Sequence, residues 1–282
     1  MPSVKQHWTL EILVVRLRHD QNAHVSRGGM KLQTLKPVAF LGSNATKTIH
    51  KLYQLEQRFL PLEVPGHSKL DRVIAGLEPL GFLGAIVVGN PMTELNALVE
   101  RKTHSAERAG AIDAVIVSSG SLGTNTLEEA LVSTLEAAHY RGVGGHCVIL
   151  GGGAVAFAAT QLARAGFKTM TFAAPDRPAA EKLARAVPAG VTTRALTFEE
   201  PSLIDALEKA DLLVHCSSDV HLDARFLQPY HTLLEAHSET SLAVGLERAG
   251  GQVIGYKHVA AHHLAAQLEF VTSFKFDAAS LM

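Results

Sequence analysis

The sequence predicts an α/β protein in which a parallel α/β domain is followed by a second α/β domain, and a last helix returns to the first. Three observations predict this architecture. Short apolar runs alternate with stretches whose apolar residues recur every three or four positions, as expected for strands joined by helices. A buried strand at 147–150 runs directly into three glycines and a helix of small residues. The final helix, at 259–272, carries an apolar stripe that needs a partner.

The first domain is predicted to comprise residues 30–140 together with 257–282. Its strands are expected where apolar runs lie between turn residues, at 36–42, 62–64, 84–88 and 112–117. Its helices are expected where the apolar spacing is three or four, at 46–59, 70–80, 93–99 and 126–140. Residues 118–121 are expected to form a polar turn. Strands that alternate with helices predict a parallel sheet.

The second domain is predicted to comprise residues 141–256. Its expected strands lie at 147–150, 168–173, 193–198, 212–216 and 253–256. Its expected helices lie between the glycines and residue 165, and at 177–186, 201–209 and 241–249. Residues 222–234 are expected to be helical or irregular.

The composition indicates a globular protein without nucleic-acid or membrane partners. Of 282 residues, 47% are hydrophobic and 19% are charged, and the formal net charge is -1, so no basic surface predicts nucleic-acid binding. No apolar run approaches the roughly 20 residues of a membrane span. Cys147 and Cys216 are expected at opposite ends of the sheet, too far apart for a disulfide. We therefore expect two free core thiols and a cytoplasmic location.

Residues 1–29 precede the predicted fold, and two interpretations of them stay open. The segment has no signal-peptide pattern, because its apolar core is short and no small-residue cleavage site follows. It is either a genuine short extension or a translated upstream segment. In the second case the natural chain starts at Met30, which follows a Gly-Gly pair.

The glycine turn has the setting of a dinucleotide-binding site. Gly151, Gly153 and Ala156 form a Gly-x-Gly-x-x-Ala pattern between the strand and the helix. Gly151 can adopt the positive φ of the turn, and Gly153 lets a pyrophosphate approach the free N–H groups of the helix. We therefore predict NAD or NADP as the cofactor. The residues predicted to hold its pyrophosphate are Gly151, Gly152, Gly153, Ala154 and Val155.

Three strings in the first domain resemble the shikimate/quinate dehydrogenase family. They are Gly-Ala-Ile-Val-Val-Gly-Asn-Pro-Met at 84–92, Ala-Gly-Ala-Ile-Asp-Ala-Val at 109–115 and Gly-Thr-Asn-Thr-Leu at 123–127. The family patterns are G-x-N-V-T-x-P-x-K, G-A-V-N-T-V and G-x-N-T-D-G, and residues 84–115 align without a gap. The resemblance covers residues 36–275 and implies an NAD(P)-dependent oxidoreductase with two domains and a closing helix. Another Rossmann protein of the amino-acid-dehydrogenase type is the alternative.

The chain departs from this family where the resemblance places catalysis. The family's lysine and aspartate, which handle the proton of the oxidised hydroxyl, correspond here to Met92 and Leu127. The Asn and Thr of N-V-T become Ile86 and Val88, and the Asn of the second string becomes Asp113. Methionine and leucine cannot transfer a proton, so we predict that the protein does not act on shikimate itself.

The same alignment implies the other pocket residues. The family's paired substrate serines correspond to Thr48 and His50, its pocket tyrosine falls near Glu235, and its pocket glutamine falls near His263. Histidine is the usual acid/base near neutral pH, and the predicted proton carriers, if catalysis is retained, are His50 and Asp113. The predicted substrate pocket comprises Thr48, His50, Ile86, Val88, Met92, Asp113, Leu127 and His263.

The cofactor preference is expected to depend on two residues after the second Rossmann strand. The family's N-R-T string, which holds the extra phosphate of NADP, corresponds to Ala-Pro-Asp at 174–176. Asp176 can accept from a ribose hydroxyl and so favours NAD slightly, while Arg177 can meet a phosphate. A solvated loop with neither role is the alternative.

Two classes of function stay open on the sequence alone. In the first, the protein is an oxidoreductase with an altered substrate pocket. In the second, it is a non-catalytic relative that binds a dinucleotide or small ligand and acts as a sensor or partner protein. For either class we expect a small-molecule ligand, a monomer or homodimer, and no metal site. His258 and His262 have helical metal-binding spacing, but no carboxylate lies near them in the sequence.

Overall fold

The computed structural model describes residues 35–42, 44–53, 59–66, 68–220 and 222–282. The segment 1–29, with its two interpretations, lies outside the described residues. Residues 36–282 form one unit that contains two six-stranded sheets. Within that unit the domain bounds 30–140 plus 257–282 and 141–256 stay a prediction.

The first sheet contains strands from the N-terminal half of the unit. Its strands are β1 (Pro37–Leu41), β2 (Leu60–Glu63), β3 (Gly84–Val87), β4 (Arg101–Lys102), β5 (Ala114–Val117) and β6 (Ser121–Thr124). Its helices are α1 (Ala45–Leu52), α2 (Leu70–Leu77), α3 (His104–Ala109) and α4 (Leu127–Ala137), with a 3-10 turn at Glu94–Ala97. The strand order is β2-β1-β3-β5-β6-β4.

The prediction of a parallel first sheet holds for most pairs and is wrong for β5. Strand β5 runs antiparallel to both β3 and β6. Residues 118–121, expected to be only a polar turn, connect β5 to β6 as a tight hairpin. Three residues, 118–120, lie between the paired Val117 and Ser121, and Ser119 and Gly120 both have positive φ, 57° and 96°, the left-handed backbone that tight hairpin loops use. Strand β6 was missed because Ser-Leu-Gly-Thr has little of the β-branched and aromatic character that marks strands.

The second sheet is entirely parallel. Its strands are β7 (His146–Leu150), β8 (Thr169–Ala174), β9 (Thr192–Thr197), β10 (Leu212–His215), β11 (Thr232–Glu235) and β12 (Gln252–Ile254), in the order β12-β11-β10-β7-β8-β9. Its helices are α5 (Gly153–Ala159), α6 (Arg177–Arg185), α7 (Ser202–Glu208) and α8 (Ser241–Ala249). The expectation for 222–234 is wrong at its end, where β11 begins. Its sequence, Thr-Leu-Leu-Glu, shows no alternation and has only one β-branched residue to mark a strand.

The last helix, α9 (Tyr256–Thr272), packs on the first sheet as predicted. Ala261, Leu268 and Val271 share a hydrophobic core with Phe40 and Ile86. A 3-10 turn at Ala278–Leu281 completes this core. The last α-helix described therefore stabilises the first sheet.

Both cysteines are buried free thiols, as predicted. Cys147 lies in β7, and Cys216 directly follows β10. Burial raises the pKa of each thiol well above its usual value, and the neighbouring Cys216 adds to the shift at Cys147. Across the described part of the chain, no helix combines the length and apolarity needed to cross a bilayer.

Candidate active site

The glycine turn lies where the second sheet changes winding direction. Strands β8 and β9 lie on one side of β7, while β10, β11 and β12 lie on the other. In open parallel sheets, ligands bind at the carboxyl ends of the strands at such a point. Gly151 has φ of 115°, the positive φ predicted for the turn, and Gly153 has φ of 77°. A Cβ on Gly151 would lie 2.2 Å from Ser217 Oγ, and this close approach also requires glycine.

Two buried polar atoms beside the turn lack hydrogen bonds to any described residue. They are Ser217 Oγ and His215 Nδ1, at the carboxyl end of β10. Burial, aided by the nearby His237, lowers the pKa of His215 and favours the neutral imidazole. The two imidazole rings are 6.4 Å apart and nearly perpendicular. Unpartnered buried groups are uncommon, and together with the free N–H groups that begin α5 they suit a polar, phosphate-bearing ligand such as a dinucleotide.

The two residues expected to set the cofactor preference make structural contacts. Asp176 Oδ1 accepts from the backbone N–H of Ala179 at 2.7 Å and caps α6. Arg177 donates to the carbonyl of Ala195 and lies 3.5 Å from the carboxylate of Glu200. Among the described residues no hydrogen bond reaches Asp176 Oδ2, so this oxygen is still available to a ribose.

A cavity of about 300 Å³ lies between α1, α9 and the loop that follows β3. Three predicted pocket residues line it, namely Thr48, Val88 and His263. Lys47 and Lys257 also line it; the sequence places Lys47 near the pocket mouth, and only Lys257 was not expected there. The cavity therefore combines an apolar wall with cationic groups and one imidazole.

The other predicted pocket residues do not line this cavity. His50 is exposed on α1, because residues two apart on a helix point in nearly opposite directions, and Thr48 already faces the cavity. Ile86 is fully buried in the first-sheet core, and Leu127 is buried in the core under the second sheet. Met92 packs at the other face of the first sheet, where its backbone pairs with Ile112. Sequence alignment gives a position in the chain but not the direction in which its side chain points.

Asp113 is fully buried and does not line the cavity either. Its Oδ2 accepts from the backbone N–H groups of Thr126 and Leu127 at 2.8 and 3.2 Å, and its Oδ1 from the Thr126 hydroxyl at 3.2 Å. The Asp113 carboxylate thus accepts hydrogen bonds from the start of α4. Its Oδ2 also lies 2.8 Å from Nε2 of His263. Asp113 has no direct path to a ligand, and His263 stands between it and the cavity.

Two further buried polar residues make hydrogen bonds with the backbone, Gln267 beside this pair and Glu235 at the end of β11. Gln267, one turn after His263, donates to the backbone carbonyls of Val87 and Asp113 at 2.8 and 3.0 Å. Glu235, near the position of the family's pocket tyrosine, accepts from the backbone and hydroxyl of Thr240 at 2.6 and 2.7 Å. Burial raises the pKa of Glu235, although the bonds from Thr240 oppose the shift. Among the residues described, no cluster of three or more His, Cys, Asp or Glu has the arrangement of a metal site.

Sequence comparison finds two curated relatives over part of the chain. The chain is 30% identical over 155 residues to the shikimate dehydrogenase (NADP(+)) of Symbiobacterium thermophilum, a match that covers 53% of each protein. It is 32% identical over 166 residues to that of Rubrobacter xylanophilus, covering 56% of each. The chain thus spans about half the length of the curated relatives it matches. No family model matches the chain.

Solved structures share the fold over nearly their whole length. Mycobacterium tuberculosis shikimate dehydrogenase superposes with a TM-score of 0.70 at 24% identity, over 87% of this chain and 98% of that one. Quinate dehydrogenase from Corynebacterium glutamicum in complex with NAD gives 0.73 at 16% identity, over 88% and 97%. The ligand-free 5-ketofructose reductase of Gluconobacter gives 0.71 at 17% identity, over 89% and 97%. In sequence over about half its length, and in fold over most of it, the chain is similar to members of the shikimate dehydrogenase family.

Proposed function

We propose that the protein is an NAD(P)-dependent oxidoreductase of the shikimate dehydrogenase type whose substrate is a small molecule other than shikimate. The observation that carries the proposal is the glycine turn with its two unpartnered polar neighbours, Ser217 and His215, at the switch point of the second sheet. The turn would hold the pyrophosphate, and the bound nicotinamide would supply the hydride acceptor. The cavity beside His263 would hold the substrate.

The apolar wall of that cavity favours an altered substrate. Val88 stands where the family pattern has threonine, and Met92 and Leu127 stand where it has the lysine and aspartate. The buried free thiols support a reducing, cytoplasmic location. We propose a monomer or a homodimer.

A non-catalytic relative that binds a dinucleotide as a sensor is the second candidate. The apolar residues at both proton-handling positions, Met92 and Leu127, favour it. The two candidates differ in one measurement. Nucleotide binding without turnover across a panel of cyclic alcohols, hydroxy acids and sugars, in both reaction directions, supports the sensor, and turnover of any of them supports the enzyme.

Gly153→Asp is expected to weaken NADH and NADPH binding by about 100-fold or more, because the new carboxylate would lie where the pyrophosphate binds. Gly144→Asp is the matched control. The two glycines have nearly the same φ, 76° for Gly144 and 77° for Gly153, and an added Cβ meets nothing within 4 Å at either. They differ in place, because Gly144 precedes the amino end of β7 and Gly153 follows its carboxyl end. Fluorescence titration of both variants measures the effect. Equal affinities for Gly153→Asp and the wild type would show that the cofactor binds elsewhere.

Asp176→Ser separates the capping role of Asp176 from a role in cofactor choice. Serine retains the helix cap, so we expect stability close to that of the wild type, whereas Asp176→Ala is expected to lose about 1 kcal/mol. If the free Oδ2 accepts from the ribose of NAD, both variants should bind NADH about tenfold more weakly. NADPH affinity should not fall in parallel. Thermal unfolding and paired titrations measure the two effects, and an unchanged NADH to NADPH ratio would leave Asp176 with the capping role alone.

A further inference from the structure

We infer that His263 is the residue that takes up and returns the substrate proton, with Asp113 as the positioning residue behind it. The inference rests on the proposed function and goes beyond it, because the proposal assigns no proton carrier. It also replaces His50, which is exposed outside the cavity.

The first step concerns the anchoring of Asp113. All of its hydrogen-bonding contacts are with groups that can donate, namely the two N–H groups and the hydroxyl at the start of α4, and the ring of His263. This is the set of contacts that an ionised carboxylate makes, since it only accepts. The helix start further favours a negative charge at this place. Asp113 is therefore a fixed anion beneath the imidazole.

The second step concerns the tautomer of His263. A carboxylate 2.8 Å from Nε2 requires the ring proton to be on that nitrogen. In the neutral ring, Nδ1 then carries the lone pair. Within the described part of the chain no residue is hydrogen-bonded to Nδ1, and the His263 ring lines the cavity. Nδ1 of His263 is thus the basic nitrogen that a substrate in the cavity can reach.

The third step compares His263 with the other charged groups at the cavity. Lys47, Lys51 and Lys257 line it from exposed positions on α1 and α9, and Lys51 donates to the backbone carbonyl of Met282. No buried anion holds Lys47 or Lys257 in one orientation among the described residues. Glu239 lines the cavity as well, but no described residue fixes its side chain. His263 is the one group here whose orientation is set by a buried anion.

The reaction balances with this assignment. In alcohol oxidation the substrate O–H bond would break and its proton would pass to Nδ1 of His263, while the C–H bond would break and its electron pair would leave as hydride, for which a bound oxidised nicotinamide would be the acceptor. The products are a carbonyl compound, the reduced nicotinamide and an imidazolium that Asp113 stabilises. Loss of the Nδ1 proton to solvent returns the neutral ring. Carbonyl reduction follows the same steps in reverse.

Nitrogen NMR of protein labelled in its histidines tests the geometry without cofactor or substrate. The signals of His263 are assigned because they are missing from the spectrum of the His263→Gln variant. We expect the neutral ring of His263 to be the Nε2–H tautomer. The Asp113→Asn variant keeps an acceptor oxygen but removes the charge, so we expect its His263 to hold its second proton less tightly. A neutral His263 with its proton on Nδ1, or a titration unaffected by Asp113→Asn, would overturn the inference.

Kinetics with the best substrate from the panel test the role itself. His263→Gln is expected to lower kcat by about 10²–10⁴-fold and to remove the acid limb of the kcat/KM profile. Asp113→Asn should lower kcat less and shift that limb to lower pH. The matched control is His262→Gln, the adjacent half-buried histidine of α9 outside the cavity, which should retain the wild-type rate and profile.

The outcomes distinguish failure of the inference from failure of the proposed function. Turnover that persists in His263→Gln with its pH profile intact overturns the inference alone, and a matching loss in Lys47→Met or Lys257→Met would assign the proton to a lysine. A loss of NADH binding in His263→Gln would mean that the residue acts in binding and would also overturn the inference. Absence of turnover in the wild type on every compound overturns both proposals.

Discussion

Replacing Asp113 with alanine is expected to lower the free energy of unfolding by about 3–5 kcal/mol, because each buried donor left without an acceptor costs about 1–3 kcal/mol. The change leaves the imidazole of His263 buried without its partner. It also leaves the N–H groups of Thr126 and Leu127 without the carboxylate at the start of α4. Urea unfolding measures the loss. Asp205→Ala, at an exposed position on α7, is the control and should stay within about 0.5 kcal/mol of the wild type.

Conservative variants of the pair separate shape from charge. Asp113→Asn keeps an oxygen that can accept from both N–H groups and from His263, so we expect it to be more stable than Asp113→Ala. Combining it with His263→Gln gives two amides in contact. We expect the effects of the two single changes to be non-additive by about 0.5–3 kcal/mol, as is usual for contacting residues. Additive effects, or an Asp113→Ala variant as stable as the control, would contradict the buried pair.

The protein is expected to oxidise shikimate and quinate about 10²–10⁴-fold more slowly than the several turnovers per second common for enzymes. Neither Met92 nor Leu127 can move a proton. Val88 presents an apolar surface to the cavity, and each substrate hydroxyl buried against such a surface without a partner costs about 1–3 kcal/mol. His263 would supply proton transfer but not the missing hydroxyl contacts.

Assays with both NAD and NADP test this expectation, with the enzyme of Symbiobacterium thermophilum as the positive control. Wild-type nucleotide binding must be shown in the same preparation. Adding Met92→Lys and Leu127→Asp together should restore little activity and should destabilise the fold, because Leu127 is 3% exposed in a hydrophobic core. Turnover of shikimate at the rate of the positive control would refute the prediction and would restore shikimate as the substrate.

The sequence predicts the fold well where a strand or helix buries a regular stripe. The glycine turn, the parallel strands around it and the inward face of α4 appear as expected, with Leu127, Ala130, Leu131 and Leu135 buried. Two of the missed strands lack the residues that mark a strand. β6 reads Ser-Leu-Gly-Thr and β11 reads Thr-Leu-Leu-Glu, so each has little β-branched or aromatic character.

The site is less predictable, because it depends on contacts between distant parts of the chain. Asp113 and His263 were each noted as departures from the family pattern, but their contact joins residues 150 positions apart. A paired departure of this kind, with Asn replaced by Asp and Gln by His, is the signal that could have suggested the contact. The opposite directions of Thr48 and His50 on α1 were predictable from the helical period alone.

Because α9 covers the first sheet, the core of that sheet stays incomplete until α9 has left the ribosome. Phe40 and Ile86 are synthesised early, while Ala261, Leu268 and Val271, which pack in the same core, are synthesised after the strands of both sheets. The second sheet needs only residues from β7 to β12 for its strand pairing. The sheet that is translated second is therefore the one that can finish folding first. In that interval, part of the first sheet's apolar face is exposed, and such surface is what chaperones bind and what drives aggregation of nascent chains.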